Sequence, residues 1–478
     1  MRLDKLIKNV KILDKINYKN VIVTCLTHNS KECVLGSMFF AISGYSNDGK
    51  NYVMDAVKNG AKVVVTDSVI VGVNITQIVV ENVRQTMSII SKQFYNNAVD
   101  SLKIIGVIGT AGKTTTTHII SHILSLTDKK CGVIGTNGIY INNIKHNTTF
   151  TTPDPIELHK IFLDMKNDSV EYVIMEVSAQ SIYLEKMYGV HIDIGVFTNV
   201  SNEHLDFFKT MDNYIKTKCS IFNKKCMSKC VINIDDAVGH KLYKEVEIDA
   251  TSVGIDNDAD YKVERVVSNN SLTEIKIKNG KKDYILHTTY IGKHNVYNIV
   301  QALVVATMLE ISTPIIIDAI LSMPDVSGRC NRFSVGGKDI VIDFAHTPSS
   351  IENILISLKD YYKKDMVTVF GAVGYSDKEK RKQMGEVVSK YSSKIIITSD
   401  NPGNTCFMDI ASDILLGVRD MEVILIEDRA QAIKQAYNLV DDNMLLVILG
   451  KGHEDFQMIK NERVPYSDVA VINSLRVE

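Results

Sequence analysis

The chain has 478 residues, 45% of them apolar, and a formal net charge of −2. That length holds about three domains of ~150 residues each, and so small a charge excludes a general binder of nucleic acid or acidic membrane. Seven prolines, no tryptophan and no low-complexity tract exclude long disordered segments.

The first residues, MRLDKLIKNVKILDK, break their apolar positions with charges. They form no signal-peptide core and no stretch able to cross a membrane. Eight cysteines are scattered along the chain, and Cys226 and Cys230 are the only close pair. With no second pair to complete a metal site, they read as reduced thiols of a cytoplasmic protein. Neither a nucleic-acid partner nor stable membrane insertion is expected, and the expected oligomeric state is a monomer.

Residues 1–100 read as a small α/β domain. VIVTCLTHNS and AKVVVTDS have strand character, and NYVMDAVKNG is a helix closed by Gly60. Next comes the stretch KIIGVIGTAGKTTTTHIISHILSL, residues 103–126. Its first six residues fit a buried parallel strand. Gly109, Thr110, Ala111 and Gly112 form a turn, and apolar residues at helical spacing follow Lys113, Thr114 and Thr115. Strand, glycine turn and helix N-terminus make a phosphate cradle: backbone N–H groups face the anion, Lys113 reaches the terminal phosphates and Thr114 can hold Mg²⁺. The strict P-loop spacing fails, because Val107 stands where its first glycine would be, but the shorter G-T-x-G-K-T-T form is present.

Two further apolar runs, VEYVIMEVSA (170–179) and IDIGVFTNVS (192–201), end in polar residues. In a parallel sheet, ligands meet the carboxyl ends of strands. Glu176, Ser178, Asn199 and then His204 should therefore face the phosphate loop across one crevice. The segment PDVSGR (324–329) suits a hinge. Beyond it, DIVIDFAHTP, MVTVFGAVG, KIIITSDNPG and MLLVILGKGHED are four strand-then-polar-loop units, with EDRAQAIKQAYNLV as an amphipathic helix. They predict a second doubly wound domain over 329–478.

Eleven stretches, in order, carry a resemblance: THNSKECVLGSMFFAISGYSNDG, GTAGKTTTT, TTPDP, MEVSAQS, FTNVSNEHLDFFKTMDNYIKTKCSIF, GKHNVYN, GRCNRF, DFAHTPSSIENIL, KEKRKQMGE, SDNPG and LGKGHEDFQ. Through them the chain resembles the Mur ligases of bacterial cell-wall synthesis, and among these the type that adds the third residue of the stem peptide. The resemblance implies an α/β fold of three domains. Residues 1–100 would bind the uridine nucleotide, 101–328 would form a P-loop ATPase, and 329–478 would form a Rossmann-like amino-acid domain. It implies an ATP-dependent amide ligase, forming a C–N bond through an acyl phosphate on UDP-MurNAc-L-Ala-D-Glu.

The resemblance also implies roles for single residues. Lys113, Glu176, His204 and Lys218 would be catalytic, and Thr114, Glu176, His204 and Lys218 would lie on the Mg²⁺ side. Lys218, which alone reads as a solvated helix lysine, would carry a carbamate formed with CO₂. Asn295, with Asn298, would lie near the adenine, and Arg329 and Asp343 would reach the nucleotide from the third domain, where His346 shares their motif. Ser30 would sit beside the uridine diphosphate. Thr151, Thr152, Ser178, Gln180 and Lys186 would contact the muropeptide.

Several positions depart from the pattern. Asn29-Ser30-Lys31 replaces Asp-Ser-Arg, Ala111 replaces an asparagine, Ala179-Gln180 replaces Ser-His, Lys186 replaces an arginine and Tyr375-Ser376 replaces Asp-Arg. Lysine keeps the charge of arginine but loses its bidentate fork. The third-residue pocket is mixed. Asp400-Asn401-Pro402-Gly403 lacks the arginine that follows proline in enzymes for meso-diaminopimelate, yet Gly450 and Glu454 of GKGHED match that type and Arg381 matches a carboxylate-binding arginine. The expected amino acid is meso-diaminopimelate, with L-lysine next. The alternatives are a divergent Mur-ligase paralogue or a folylpolyglutamate-synthetase-like ligase with another acceptor.

Overall fold

The computed structural model describes residues 1–44, 47–148, 150–269, 272–280, 282–374, 378–460 and 462–475. The departure at Tyr375-Ser376 lies outside the described residues. Three large sheets succeed one another along the described residues, followed by a two-stranded one of Phe456–Ile459 and Glu462–Pro465. In the first, Ile12–Ile16 pairs antiparallel with Thr76–Val80, and Ala61–Thr66, Ser37–Phe40 and Cys25–Thr27 follow in parallel. The predicted helix of this region is Val53–Lys58, joined by the longer Val83–Phe94, and Gly60 just beyond the first holds φ +110°, which only glycine adopts freely.

The second sheet has eleven strands. Its parallel centre runs Asp249–Gly254, Met227–Asn233, Ile192–Phe197, Lys103–Ile108, Tyr172–Val177, Cys131–Gly135. The inner strands are mostly apolar because helices cover both faces, giving two separate apolar cores, and Asp249–Gly254 is buried only in its second half. At one edge Tyr261–Ser268 joins Asp249–Gly254 in parallel and opens an antiparallel meander with Thr273–Asn279 and Lys282–Thr288, and antiparallel strands extend the other edge. The meander's sequence alternates apolar and polar residues, as in TEIKIKN, and only alternate side chains are buried.

The third sheet orders Asn331–Val335, Lys338–Asp343, Met444–Leu449, Asp365–Phe370, Lys394–Ile397 and Val423–Leu425. The first pair is antiparallel and the rest are parallel, with cores on both faces. The four predicted strand-and-loop units are adjacent strands here, and helix Arg429–Leu439 packs among them. A buried pair anchors this helix: Arg429 donates from Nε and Nη2 to Asp468 at 2.8 Å each, and from Nη2 to the Leu449 carbonyl at 2.9 Å. Among the described residues, no helix is long and apolar enough to cross a membrane.

Candidate active site

The phosphate loop joins strand Lys103–Ile108 to helix Lys113–Ser125. Gly112 has φ +84°, and a side chain there would collide with Asn298. The loop is braced from the neighbouring strand end: Asn199 accepts from the Ala111 N–H at 2.9 Å, and Thr198 donates to the Ala111 carbonyl at 2.7 Å. Lys113 Nζ donates to the carbonyls of Gly109 (2.9 Å) and Thr110 (2.7 Å), so its ammonium stands over the loop.

At the end of the adjacent strand, Glu176 is 1% exposed. Its carboxylate accepts from the Thr114 hydroxyl (3.0 Å), the Thr136 N–H (2.8 Å) and the Thr136 hydroxyl (3.2 Å). Arg329 crosses from the third-sheet side and donates to Thr114 Oγ1 at 3.2 Å. Asp343, at the end of its strand, accepts from the N–H groups of Cys330 and Ala345 at 2.7 Å each. These groups line one cleft of about 690 Å³, together with Thr115, Thr151, Ser178, Ser201, Glu203, His204, Asn295 and His346. The strand-end residues expected to share a crevice do share it. Asn295 lines it with its amide turned into its own helix: it donates to the Ile291 carbonyl at 2.9 Å and accepts from Asn298 at 3.1 Å.

Lys218 lies behind the loop on helix Met211–Cys219, 1% exposed. Its Nζ donates to Thr110 Oγ1 at 3.3 Å and stands 4.5 Å from the Tyr214 ring centre. Burial first, and then repulsion from Lys113, lower its ammonium pKa well below the usual lysine range, against weaker pulls from Glu203 and Asp236. Glu203 sits between His204 Nε2 at 3.8 Å and His346 Nε2 at 3.7 Å. Burial opposes its ionisation, but His204, His346, Lys113 and Lys218 outweigh burial and hold its carboxyl below the ordinary range.

Beside the cleft, Thr152 donates to the Glu176 carbonyl (2.9 Å) and accepts from the Ser178 N–H (3.1 Å), and Thr151 meets Thr136 at 3.1 Å. Lys186 is buried and paired with Asp154 at 2.8 Å. Asp154 also meets His28 of the first domain at 4.0 Å, two residues from Ser30. Gln180 is half-buried on the short helix Ala179–Tyr183.

The proposed amino-acid residues form a separate cluster at the ends of the third sheet's strands. Lys451 is fully buried, and its Nζ reaches Glu454 (2.5 Å), Asn401 (2.9 Å) and Asp400 (3.6 Å). Gly450 has φ +111°, and a side chain there would strike the Asp400 carboxylate. Gly403 has φ +57° with open space around it. Arg381 is 4% exposed and engaged inside the protein, with Asp413 at 2.8 Å and the Gly374 carbonyl at 2.7 Å.

Three family models match the chain: the Mur ligase family catalytic domain at 22–95, the Mur ligase middle domain at 107–306 and the Mur ligase glutamate ligase domain at 328–452. A UDP-N-acetylmuramoyl-L-alanyl-D-glutamate–2,6-diaminopimelate ligase from Clostridium tetani is 35% identical over 97% of this chain and 98% of its own. The chain belongs to the Mur ligase family. A solved structure of a UDP-N-acetylmuramoyl-L-alanyl-D-glutamate–2,6-diaminopimelate ligase matches with TM-score 0.70 at 26% identity, covering 97% of this chain and 96% of that one. The MurF ligase from Thermotoga maritima, solved in complex with ADP, shares the fold with TM-score 0.65 at 20% identity, covering 96% and 97%.

Sequence reasoning about this Mur ligase missed Glu203 and Lys451. Glu203 was visible beside His204 in SNEH, but nothing in the string shows that His346, 143 positions later, closes on it. Lys451 reads as a solvated lysine between two glycines, and only the fold buries it. Its ammonium changes the reading of Glu454, whose carboxylate already has a cation within the protein. Among the described residues, no group of three or more His, Cys, Asp or Glu converges on a metal position. The oxygens of Thr114 and Glu176 do suit Mg²⁺, which takes one or two carboxylates and completes its shell with phosphate and water.

Proposed function

We propose that this Mur ligase joins meso-2,6-diaminopimelate to UDP-MurNAc-L-Ala-D-Glu, converting ATP to ADP and phosphate in peptidoglycan synthesis. The carrying observation is the convergence on one cleft of the phosphate loop, Glu176 and, from the third sheet, Arg329 and Asp343. A carboxylate attacking a γ-phosphate brings two anions together, so the site must supply cations. Lys113 and Arg329 supply two of them from opposite sides. Thr114 and Glu176 would hold Mg²⁺, which would screen the phosphates when bound.

The D-glutamyl side-chain carboxylate attacks the γ-phosphorus, and ADP leaves. The amine of the incoming amino acid then attacks the acyl carbon, phosphate leaves, and the amine gives up a proton. Lys218 adds an anion to the site: its neutral Nζ forms an N–C bond with CO₂ and loses a proton, giving a carbamate. A buried amine with a lowered pKa is suited to that addition, because only the unprotonated form is nucleophilic. Thr151, Thr152, Ser178, Gln180 and Lys186 would hold the peptide of the acceptor, and Ser30 the uridine end. Asp400, Asn401, Gly403, Gly450, Glu454 and Arg381 would shape the amino-acid pocket.

The test measures ADP release by the purified chain with ATP, UDP-MurNAc-L-Ala-D-Glu and a panel of amino acids, with products read by mass spectrometry. Turnover that requires both acceptor and diaminopimelate, with a product heavier by one residue, is expected. Turnover on a folate acceptor, or none without regard to amino acid, would overturn the reading.

A further inference from the structure

The pocket loop carries Gly403, which has no side chain to meet a carboxylate, but a guanidinium stands one strand away. Gly403 is tied to the hairpin of Phe456–Ile459 and Glu462–Pro465: its N–H donates to the Met458 carbonyl at 2.9 Å, and its carbonyl accepts from the Lys460 N–H at 2.8 Å. Within the hairpin, Met458 pairs with Arg463 and Phe456 with Pro465. Side chains alternate along a strand, so Phe456, Met458, Arg463 and Pro465 share one face. The Arg463 guanidinium lies 4.5 Å from the centre of the Phe456 ring. Lys451 Nζ, bonded to Glu454, lies 5.3 Å from the same centre. One aromatic ring thus links an exposed guanidinium to the carboxylate cluster of the pocket.

The other pocket cations are already engaged. Lys451 is fully buried among Asp400, Asn401 and Glu454, and Arg381 is held by Asp413 and the Gly374 carbonyl. Arg463 is exposed, and among the described residues no carboxylate pairs with it. Stacking on a ring leaves the edge N–H groups of a guanidinium free, and that fork fits a carboxylate with two hydrogen bonds.

We propose that Arg463 is a specificity-determining residue that meets the distal carboxylate of the incoming diamino diacid, taking over from the neighbouring hairpin what Gly403 cannot do. The inference rests on the amino-acid pocket assigned above. A diamino diacid carries an ammonium and a carboxylate on the same distal carbon. Glu454 would take the ammonium in exchange with Lys451, and Arg463 the carboxylate. L-Lysine has the distal ammonium but no distal carboxylate, so Arg463 discriminates between the two.

The test compares kcat/KM for meso-diaminopimelate and for L-lysine in the wild type, in Arg463→Ala and in Arg463→Lys. Arg463→Ala should lower the diaminopimelate value roughly tenfold to a hundredfold, the size of one lost charged hydrogen bond, and leave the lysine value within about twofold. Arg463→Lys should fall between, because it keeps the charge without the fork. The lysine reaction reports folding of the hairpin. Equal losses with both amino acids, or an unchanged ratio, would overturn the role of Arg463 while leaving the ligase reading intact. A wild type that ligates neither diamino acid would overturn the pocket reading and this inference with it.

Discussion

Replacing Lys218 by methionine should stabilise the protein and abolish its ligase activity. The side chain is 1% exposed, beside Thr110 Oγ1 and the Tyr214 ring. Methionine fills a similar volume without a charge. The lysine is costly to the fold because burial lowers its pKa below the 10.5 of a free side chain. Each pKa unit of lowering withdraws about 1.4 kcal/mol from the native state. Below 10.5 the unfolded chain holds the proton and the folded chain resists it, so wild-type stability rises with pH toward 10.5. The advantage of Lys218→Met should be largest near neutrality and shrink as pH approaches 10.5. Each kcal/mol gained should raise the midpoint by about 2–4 °C for a domain of this size. The assay is thermal or urea unfolding of both proteins in CO₂-free buffer from about pH 6 to about pH 10, where linkage requires the change. A destabilised variant, or an advantage independent of pH, would refute the reasoning. Full ligase activity in the variant would refute the need for an anion at this position, as would failure of short carboxylic acids to restore any activity to Lys218→Ala.

Lys113→Ala should lose ATP turnover but still bind the UDP substrate by calorimetry, because Ser30 lies on the short turn Ser30–Glu32 beside the first sheet, whereas the phosphate loop belongs to the second; normal turnover would remove Lys113 from the phosphate site. Gly403→Arg should raise the kcat/KM preference for diaminopimelate over lysine by about the ~1.5–3 kcal/mol of a charged hydrogen bond, since a side chain there meets open space. The same change should cost ~1–2 kcal/mol of stability, because Gly403 holds φ +57°; a ratio that stays level or falls would place Gly403 outside the pocket. Arg429→Leu should destabilise by ~3–5 kcal/mol in urea unfolding by stranding a buried carboxylate, as Arg429 and Asp468 are both inaccessible to water. Adding Asp468→Leu should recover part of that loss, and a loss under ~1 kcal/mol in the single variant would show that the pair is not buried in solution.

Much of this protein was decided locally, and that part was readable in the string. The parallel strands declare themselves because a sheet covered on both faces needs a nearly continuous apolar run, as in Met444–Leu449 and in Tyr172–Val177, where Glu176 is the one charged residue. The phosphate loop declares itself because Gly112 must hold a positive φ while Lys113 and Thr114 open the helix. Ordered stretches such as GTAGKTTTT and LGKGHED carried the family. The antiparallel meander of Tyr261–Ser268, Thr273–Asn279 and Lys282–Thr288 was less legible, since alternation marks a half-buried strand but not the sheet it joins. What the sequence could not express was who meets whom. Arg329 lies 215 positions from Thr114, and His346 lies 143 from Glu203, so only the approach of the loops beside the third sheet to those at the strand ends of the second brings them together. The same holds for charge. A lysine looks alike in sequence whether solvated or buried, but the fold strips water from Lys218 and Lys451, leaving one a weakened ammonium beside the phosphate loop and the other the internal partner of Glu454. Burial and long-range pairing set those properties, and both exist only once the chain has closed on itself.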